Sequence, residues 1–407
     1  MIPYPDALRI VLDNIRPLPT ETVQADKALG RFLARLVKAP AHSPRFEQSA
    51  MDGYAVRLAD VKHARPGRPI ILKLADELPA GDQRAVVLKP GQTVKVFTGS
   101  RLPRGAEAVV MKEYVTLSGD NMATISWKVS TGDHIRRLGE EYRRGDIILP
   151  AGIRVTPPVV GMLVMLGKDR AAVRRRPTVT VITIGNELVA PGTRLGPGQI
   201  PDSNGPAVAA ALRALGVIKV RRRRVKDNLP ALVKAMKKGL ENDDLVITVG
   251  GASVGDYDFV HDARRELGVR DIFTKVAIKP GKPNLFGLDR RKTPVFGLPG
   301  NPVSALVSFH ELVKPAVLKM MGALENDSLV LPVRLDEATH KKPGRLNWLR
   351  GQLNLEGDQL TAGLVKGQDS HMLSGLALAD LLVEIPIETA ETTPGQILQA
   401  VRLDWEK

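Results

Sequence analysis

The stretch DLVITVGGASVGDYDF, Asp244–Phe259, decides how the rest of the chain reads. Asp244–Val249 is an apolar run of strand length, and glycines follow at once. A strand that ends in a glycine-rich turn and leads to a helix, here near Phe259–Leu267, is one unit of an alternating α/β fold. The flanks repeat the unit. Thr178–Ile184 is a β-branched run, Pro206–Leu215 a helix ending at Gly216, Val217–Val225 a strand and Leu229–Leu240 a helix. Ile272–Ile278 and Pro294–Leu298 follow as strands, the second running through Gly300, Asn301 and Pro302 into a helix from Val303. Across residues 173–327 this alternation predicts a parallel sheet with helices on both faces, a central three-layer α/β/α domain.

Other regions have a different texture. In residues 1–40, Ala7–Ile15 and Thr22–Val37 repeat apolar residues at helical spacing, and Pro40 ends the run. Residues 41–139 read as short strands and turns punctuated by Gly81, Gly91, Gly99 and Gly105, a β-rich module. Residues 140–172 turn apolar at Pro157–Leu166, with proline favouring a helix start near Pro158. If this piece packs back on the N-terminal helices, residues 41–139 are an insertion in an elongated helical domain built from 1–40 and 140–172. Residues 328–407 return to short β runs, Ser328–Arg334, Leu381–Ile387 and Gln399–Leu403, which fit a small barrel or sandwich.

Composition narrows the function classes. Apolar residues are 43% of the 407, enough for sizeable cores. No apolar run approaches the ~18 residues of a membrane span. Met1–Ile15 carries Asp6, Arg9 and Asp13 through its apolar positions, an amphipathic helix rather than a secretory signal, so a cytoplasmic protein is expected, with no membrane contact. The absence of cysteine excludes disulfides and thiolate metal sites. A transition metal would have to meet oxygen or nitrogen ligands, or sulfur brought by a substrate. Net charge is +15, but the basic runs Arg174–Arg176 and Arg221–Arg224 are short and aromatics are 4%, which disfavours nucleic acid against surface charge or small-anion attraction.

Ligands of an open parallel sheet bind beyond the carboxyl ends of its strands. Three unusual turns fall there. Gly250, Gly251, Ser253 and Gly255 let a backbone approach a phosphate, or simply make a tight turn. Pro299, Gly300 and Asn301 precede a helix, with Asn301 suited to the N-cap and Pro302 to the first turn. Glu187, after Gly185 and Asn186, is a carboxylate at a strand end, able to bind a metal or hydroxyl or to be merely solvated. Strand alternation predicts Lys275 and Lys279 on one face, either neutralising phosphate charge or guarding a sheet edge.

Together these segments resemble the molybdopterin molybdenumtransferases, the family of bacterial MoeA and of the E domain of animal gephyrin. The resemblance runs nearly end to end, through SAMDGYAV (49–56), FTGSRLPRGAEAVVM (97–111), GEE (139–141), IGNEL (184–188), PGQIPDSN (197–204), DLVITVGGASVGDYDF (244–259), residues 275–283 and FGLPGNPVSA (296–305). It implies four domains, with a molybdopterin-binding α/β domain and a small C-terminal β-barrel, and a homodimer with its active site between subunits. It also implies the reaction: adenylylated molybdopterin and molybdate enter, molybdenum cofactor and AMP leave, and Mg2+ assists. Transient contact with the adenylyltransferase or with molybdoenzyme-maturation proteins belongs to the same picture.

Carried over position by position, the resemblance makes Asp52 and Thr98 residues of the β module that face the cleft between subunits. It makes Glu141, Glu187, Asp227 and Asp258 carboxylates for metal or acid–base work, Glu187 and Asp258 being the metal candidates. Lys275 and Lys279 would meet molybdate or phosphate oxygens, Ser253 and the Gly250, Gly251 and Gly255 amides would cradle phosphate, and Ser370 would lie beside the cleft. Arg345 and Arg350 would meet the pterin side or serve as surface charge. Read alone, Asp52 is also a turn residue before Gly53, and Asp227 a helix N-cap. The chain departs from the family at Asn186, usually Asp, at Glu141, often Asp, and at Val249, commonly Ser. An adenylyltransferase would need only the central domain. A peptide-binding scaffold would have no need of Asp52, Asp227, Asp258, Lys275 and Lys279 together.

Overall fold

A computed structural model describes residues 1–251, 259–324 and 328–405. The chain divides into two compact units, residues 1–35, 151–161 and 169–407 in one, 36–150 and 162–168 in the other.

The first unit is organised by a six-stranded sheet. Its order is Lys219–Val225, Thr178–Ile184, Leu245–Val249, Pro294–Leu298, Leu285–Leu288, Arg270–Phe273. The first four strands are parallel and Leu285–Leu288 runs antiparallel to both its neighbours, so the sheet is mixed rather than wholly parallel. Strand residues alternate between two cores. Val179, Val181, Ile247 and Phe296 pack with Val208, Leu212 and Val303 on one face, together with Ala7 and Val11 of the helix Tyr4–Asn14. Ile182, Ile184, Val246 and Val295 pack with Leu232, Met236 and Val260 on the other. Both faces are therefore covered, which produces the expected three layers, and each buried Val or Ile contributes about 1.5–3 kcal/mol over exposure.

Two elements differ from the sequence reading. The run Ile272–Ile278 is not one strand. Arg270–Phe273 pairs with Leu285–Leu288, a strand that the sequence does not signal, because the turn through Gly281 and Lys282 reverses the chain. Ile278–Lys279 instead joins the C-terminal sheet, parallel to Leu346–Asn347. Thr22–Val37 is not a helix either. Thr20–Gln24 pairs antiparallel with Arg170–Arg174, and Gly30 at φ 74° interrupts the remainder of that run. Tertiary pairing of β-branched Thr20, Thr22 and Val23 overrides a helical spacing of apolar residues.

The C-terminal strands close on themselves. Leu346–Glu356 pairs with both Gln359–Leu364 and Leu381–Ile385, while Val330–Leu335 and Ile397–Arg402 complete the circuit. The result is a five-stranded barrel, not a sandwich, filled by Val333, Leu335, Val383 and Leu398.

The second unit holds another six-stranded sheet, in the order Ala108–Met111, Gly53–Val56, Gln92–Val96, Ile70–Leu78, Met122–Ile125, Val115–Ser118. Gly53 sits where any Cβ would run into the Val110 carbonyl, so the Asp-Gly pair at 52–53 is a packing requirement as well as a turn. Among the described residues no helix is long and apolar enough to cross a membrane.

Candidate active site

From Thr178–Ile184 the chain moves outward to Lys219–Val225, then returns to add Leu245–Val249 on the opposite side. The sheet's growth reverses between these two central strands, and such a reversal opens a crevice at the carboxyl ends. A crevice of about 1060 Å³ lies there. Its walls include Gly185 and Glu187, Gly250 and Gly251, and Pro299, Gly300 and Asn301, so all three turns singled out from the sequence converge.

Close backbone approach explains the glycines. Gly250 has φ 88°, and a Cβ there would stand 2.8 Å from the Ile184 carbonyl oxygen. Its amide donates to the Leu298 carbonyl at 3.0 Å, which locks two strand ends together. Gly251 has φ 69°, and a Cβ on Gly300 would come 3.5 Å from the Gly250 Cα. Among the described residues no backbone acceptor engages the amides of Gly251, Gly300 or Asn301.

Asn301 stands at the N-cap of helix Pro302–Ser308 as expected, yet its side chain does not cap it. Its Nδ2 donates to Ser370 Oγ at 2.9 Å, while the Ser370 carbonyl accepts from Val303 N at 3.1 Å. Ser370 is thereby brought to the second turn. Arg350 holds the same segment: its Nη2 donates to the Gly367 and Asp369 carbonyls at 2.8 and 3.3 Å. Arg350 is buried, and burial pushes its guanidinium down to about 10. It is a brace inside the fold rather than a surface charge; Arg345 is half-buried.

The carboxylates divide by how much of each is already engaged. Asp227 Oδ2 accepts from Asn186 N at 2.9 Å, and Asp227 N donates to Asn186 Oδ1 at 3.3 Å. Asp227 is not the helix cap; Asn228 is, accepting from Ala231 N at 3.0 Å. Glu187 is exposed and folds back over Gly185. Sequence reasoning missed Asp202, which is buried and accepts from Thr183 Oγ1 at 2.8 Å and Gly205 N at 2.9 Å. It fixes the start of the helix Asn204–Ala214, and Asn204 Nδ2 in turn donates to the Gly300 carbonyl at 2.7 Å. An Asp two residues ahead of a helix start was the available signal.

The lysines are rearranged. Lys275 lines the crevice, and so does Lys282; Lys279 does not, because it belongs to the short strand beside Asn347. The alternation argument fails with the strand it assumed. Lys282 is the second lysine on the crevice wall, brought round by the Lys282 carbonyl accepting from Val276 N at 3.0 Å. His261 and His371 also line the walls. Ser253, Gly255 and Asp258 lie outside the described residues.

In the second unit, Asp52 Oδ1 accepts from both Thr98 N and Thr98 Oγ1 at 2.9 Å, joining two motifs distant in sequence. The Thr98 amide, then its hydroxyl, hold the Asp52 carboxyl below its ordinary value. Glu141 accepts from Ser43 Oγ at 2.8 Å. Among the described residues no group of three or more His, Cys, Asp or Glu is gathered as a metal site.

Three family models match in sequence order: MoeA N-terminal region (domain I and II) over residues 2–167, a probable molybdopterin binding domain over 180–319, and MoeA C-terminal region (domain IV) over 332–403. The chain is 37% identical to molybdopterin molybdenumtransferase 2 of Mycobacterium tuberculosis (strain H37Rv), covering 96% of this chain and 97% of that one. It is 31% identical to molybdopterin molybdenumtransferase of Bacillus subtilis (strain 168), over 100% and 95%. The molybdopterin biosynthesis moeA protein of Pyrococcus horikoshii OT3 superposes with a TM-score of 0.85 at 28% identity, covering 99% and 100%.

Proposed function

The chain belongs to the molybdopterin molybdenumtransferase family, and on that premise we propose that it inserts molybdenum into adenylylated molybdopterin, with molybdate as the metal source and AMP as the second product. The observation that carries the reading is the crevice, where bare glycine backbone, a helix start and two lysines meet at the sheet's reversal point. Splitting a phosphoanhydride demands positioning and charge neutralisation more than covalent catalysis. The Gly251, Gly300 and Asn301 amides would receive phosphate oxygens, and the start of helix Pro302–Ser308 adds a partial positive charge. Lys275 and Lys282 would offset the remaining anionic charge. Asp202 and Asn204 act indirectly, holding the turns that touch substrate.

The donor set suits magnesium, which takes one or two protein carboxylates and completes its shell with water and phosphate oxygens. Glu187 is the carboxylate with oxygens to spare and Asp227 its neighbour on the crevice wall. Bound there, the ion would neutralise phosphate charge. Asp52, Thr98 and Glu141 are assigned to the reaction by the family resemblance, as are Ser253, Gly255, Asp258 and Lys279. Four domains (1–40 with 140–172, 41–139, 173–327 and 328–407), a homodimer, a cytoplasmic location and hand-over contacts with the adenylyltransferase or maturation proteins complete the reading.

The test follows AMP release from adenylylated pterin with magnesium, with and without molybdate. Release should require molybdate and fall about a hundredfold in Lys275→Ala, the size of one lost electrostatic donor. Glu187→Ala should raise the magnesium requirement. Release indifferent to molybdate would overturn the proposal.

A further inference from the structure

The proposed reaction makes no use of the run Arg221–Arg224, although it occupies the edge strand of the central sheet. Beside that strand, helix Leu229–Asn242 presents Lys234 and Lys238 one turn apart. With Arg223, Arg224 and Lys226 they line a groove of about 490 Å³ that Val225, Ala231 and Ala235 also line. Among the described residues no carboxylate lines it. In the arginine run, Arg221 has an acidic partner, Asp243; Arg223 Nε is buried with no hydrogen-bond partner. Five close cations repel one another, and an anionic occupant would relieve that repulsion.

The backbone beside the groove is also open. The Val225 carbonyl accepts from Gly185 N at 3.1 Å and the Arg223 carbonyl from Thr183 Oγ1 at 3.4 Å, so these residues turn their polar groups toward Thr178–Ile184. Alternation then turns the N–H and C=O of Val220, Arg222 and Arg224 outward. Among the described residues no strand pairs with that edge. Basic side chains on an edge guard against aggregation. That role needs neither a concave site nor lysines from the neighbouring helix. Among the described residues the groove has no aromatic on which a nucleic-acid base could stack.

We propose that this edge is a docking site for an acidic, extended segment of a partner protein, which adds as a strand beside Lys219–Val225 and places its carboxylates in the groove. Main-chain pairing supplies the affinity and the cations the choice of sequence.

The test uses the full chain and a labelled peptide of about ten residues alternating Glu with Val, long enough for one strand. Its all-Gln counterpart and a single-stranded DNA of equal charge are the comparisons. The Glu peptide should bind at least about tenfold tighter than the Gln peptide and than the DNA. Binding should fall about tenfold in the Lys234→Ser, Lys238→Ser double variant, both residues being on the exposed helix face. Arg222→Pro removes an outward N–H while leaving the inner ladder, and should abolish binding. Should that variant misfold, slowed amide exchange at Val220, Arg222 and Arg224 in the wild-type complex reports the same pairing. No peptide binding, tighter binding of DNA, or unchanged exchange at those amides would each overturn the proposal.

Discussion

Asp244 and Asp52 each accept two hydrogen bonds from a single threonine, one from its amide and one from its hydroxyl. For Asp244 the donor is Thr178, at 2.8 and 3.0 Å; for Asp52 it is Thr98, at 2.9 Å for both. They differ in what fills the other lone pairs. Arg175 closes on Asp244 with two bonds of 2.9 and 2.6 Å. Among the described residues Asp52 has only Lys112 besides, at 3.8 Å. Burial pushes the Asp244 carboxyl up, but Arg175 and Thr178 outweigh it and the net shift is downward. A carboxylate gripped by a threonine and an arginine together is saturated by its neighbours. One with an oxygen left over can still meet a substrate or an ion.

The largest test of this contrast removes each carboxylate. Asp244→Ala leaves a half-buried guanidinium and an amide without their partner and should cost about 3 kcal/mol, read from urea unfolding. Asp52→Ala, at an exposed carboxylate, should shift the unfolding curve far less while molybdenum transfer falls. Equal destabilisation by both would break the comparison. Acid sharpens it next. A carboxyl held below its unfolded value of about 3.9 stabilises the fold above that pH, and the contribution disappears as pH falls through the lower, folded value. Wild type should therefore lose stability steeply below about pH 4. Asp244→Asn should start less stable and lose less across that window, whereas a slope unchanged from wild type would mean that Asp244 is not the titrating latch. Smaller still is the hydroxyl: Thr178→Val should cost about 1 kcal/mol, and Thr98→Val should alter the transfer rate without shifting the melting temperature. Last, Lys112→Arg brings a fork toward Asp52 and should slow transfer by occupying the spare oxygen, measured as a lower kcat at unchanged stability.

Much of the α/β domain was readable because its central strands are buried on both faces. Thr178–Ile184, Leu245–Val249 and Pro294–Leu298 must be continuously apolar or β-branched, and glycine must follow where backbones touch. Thr20–Gln24 was not readable, since its partner Arg170–Arg174 lies far away in sequence and its own apolar spacing mimics a helix. The loops of the crevice announced themselves by composition. That Lys282 lines the crevice beside Lys275 was not announced, because it depends on where a strand breaks. Asp202 and Arg350 were opaque for another reason: their roles are set by carbonyls and hydroxyls that only tertiary packing delivers.

The two-residue strand Ile278–Lys279 moors the lysine segment of the crevice to the barrel. The Ala277 carbonyl accepts from Leu346 N at 2.9 Å, and on the near side Ala277 N donates to the Ile2 carbonyl at 2.8 Å. Lys275 and Lys282 thus flank a segment held at Ala277 from two sides, by Ile2 and by the barrel. Cutting away the barrel would slacken that segment even with both lysines intact, so the barrel behaves less like an appendage than like the post to which the anion grip is fastened.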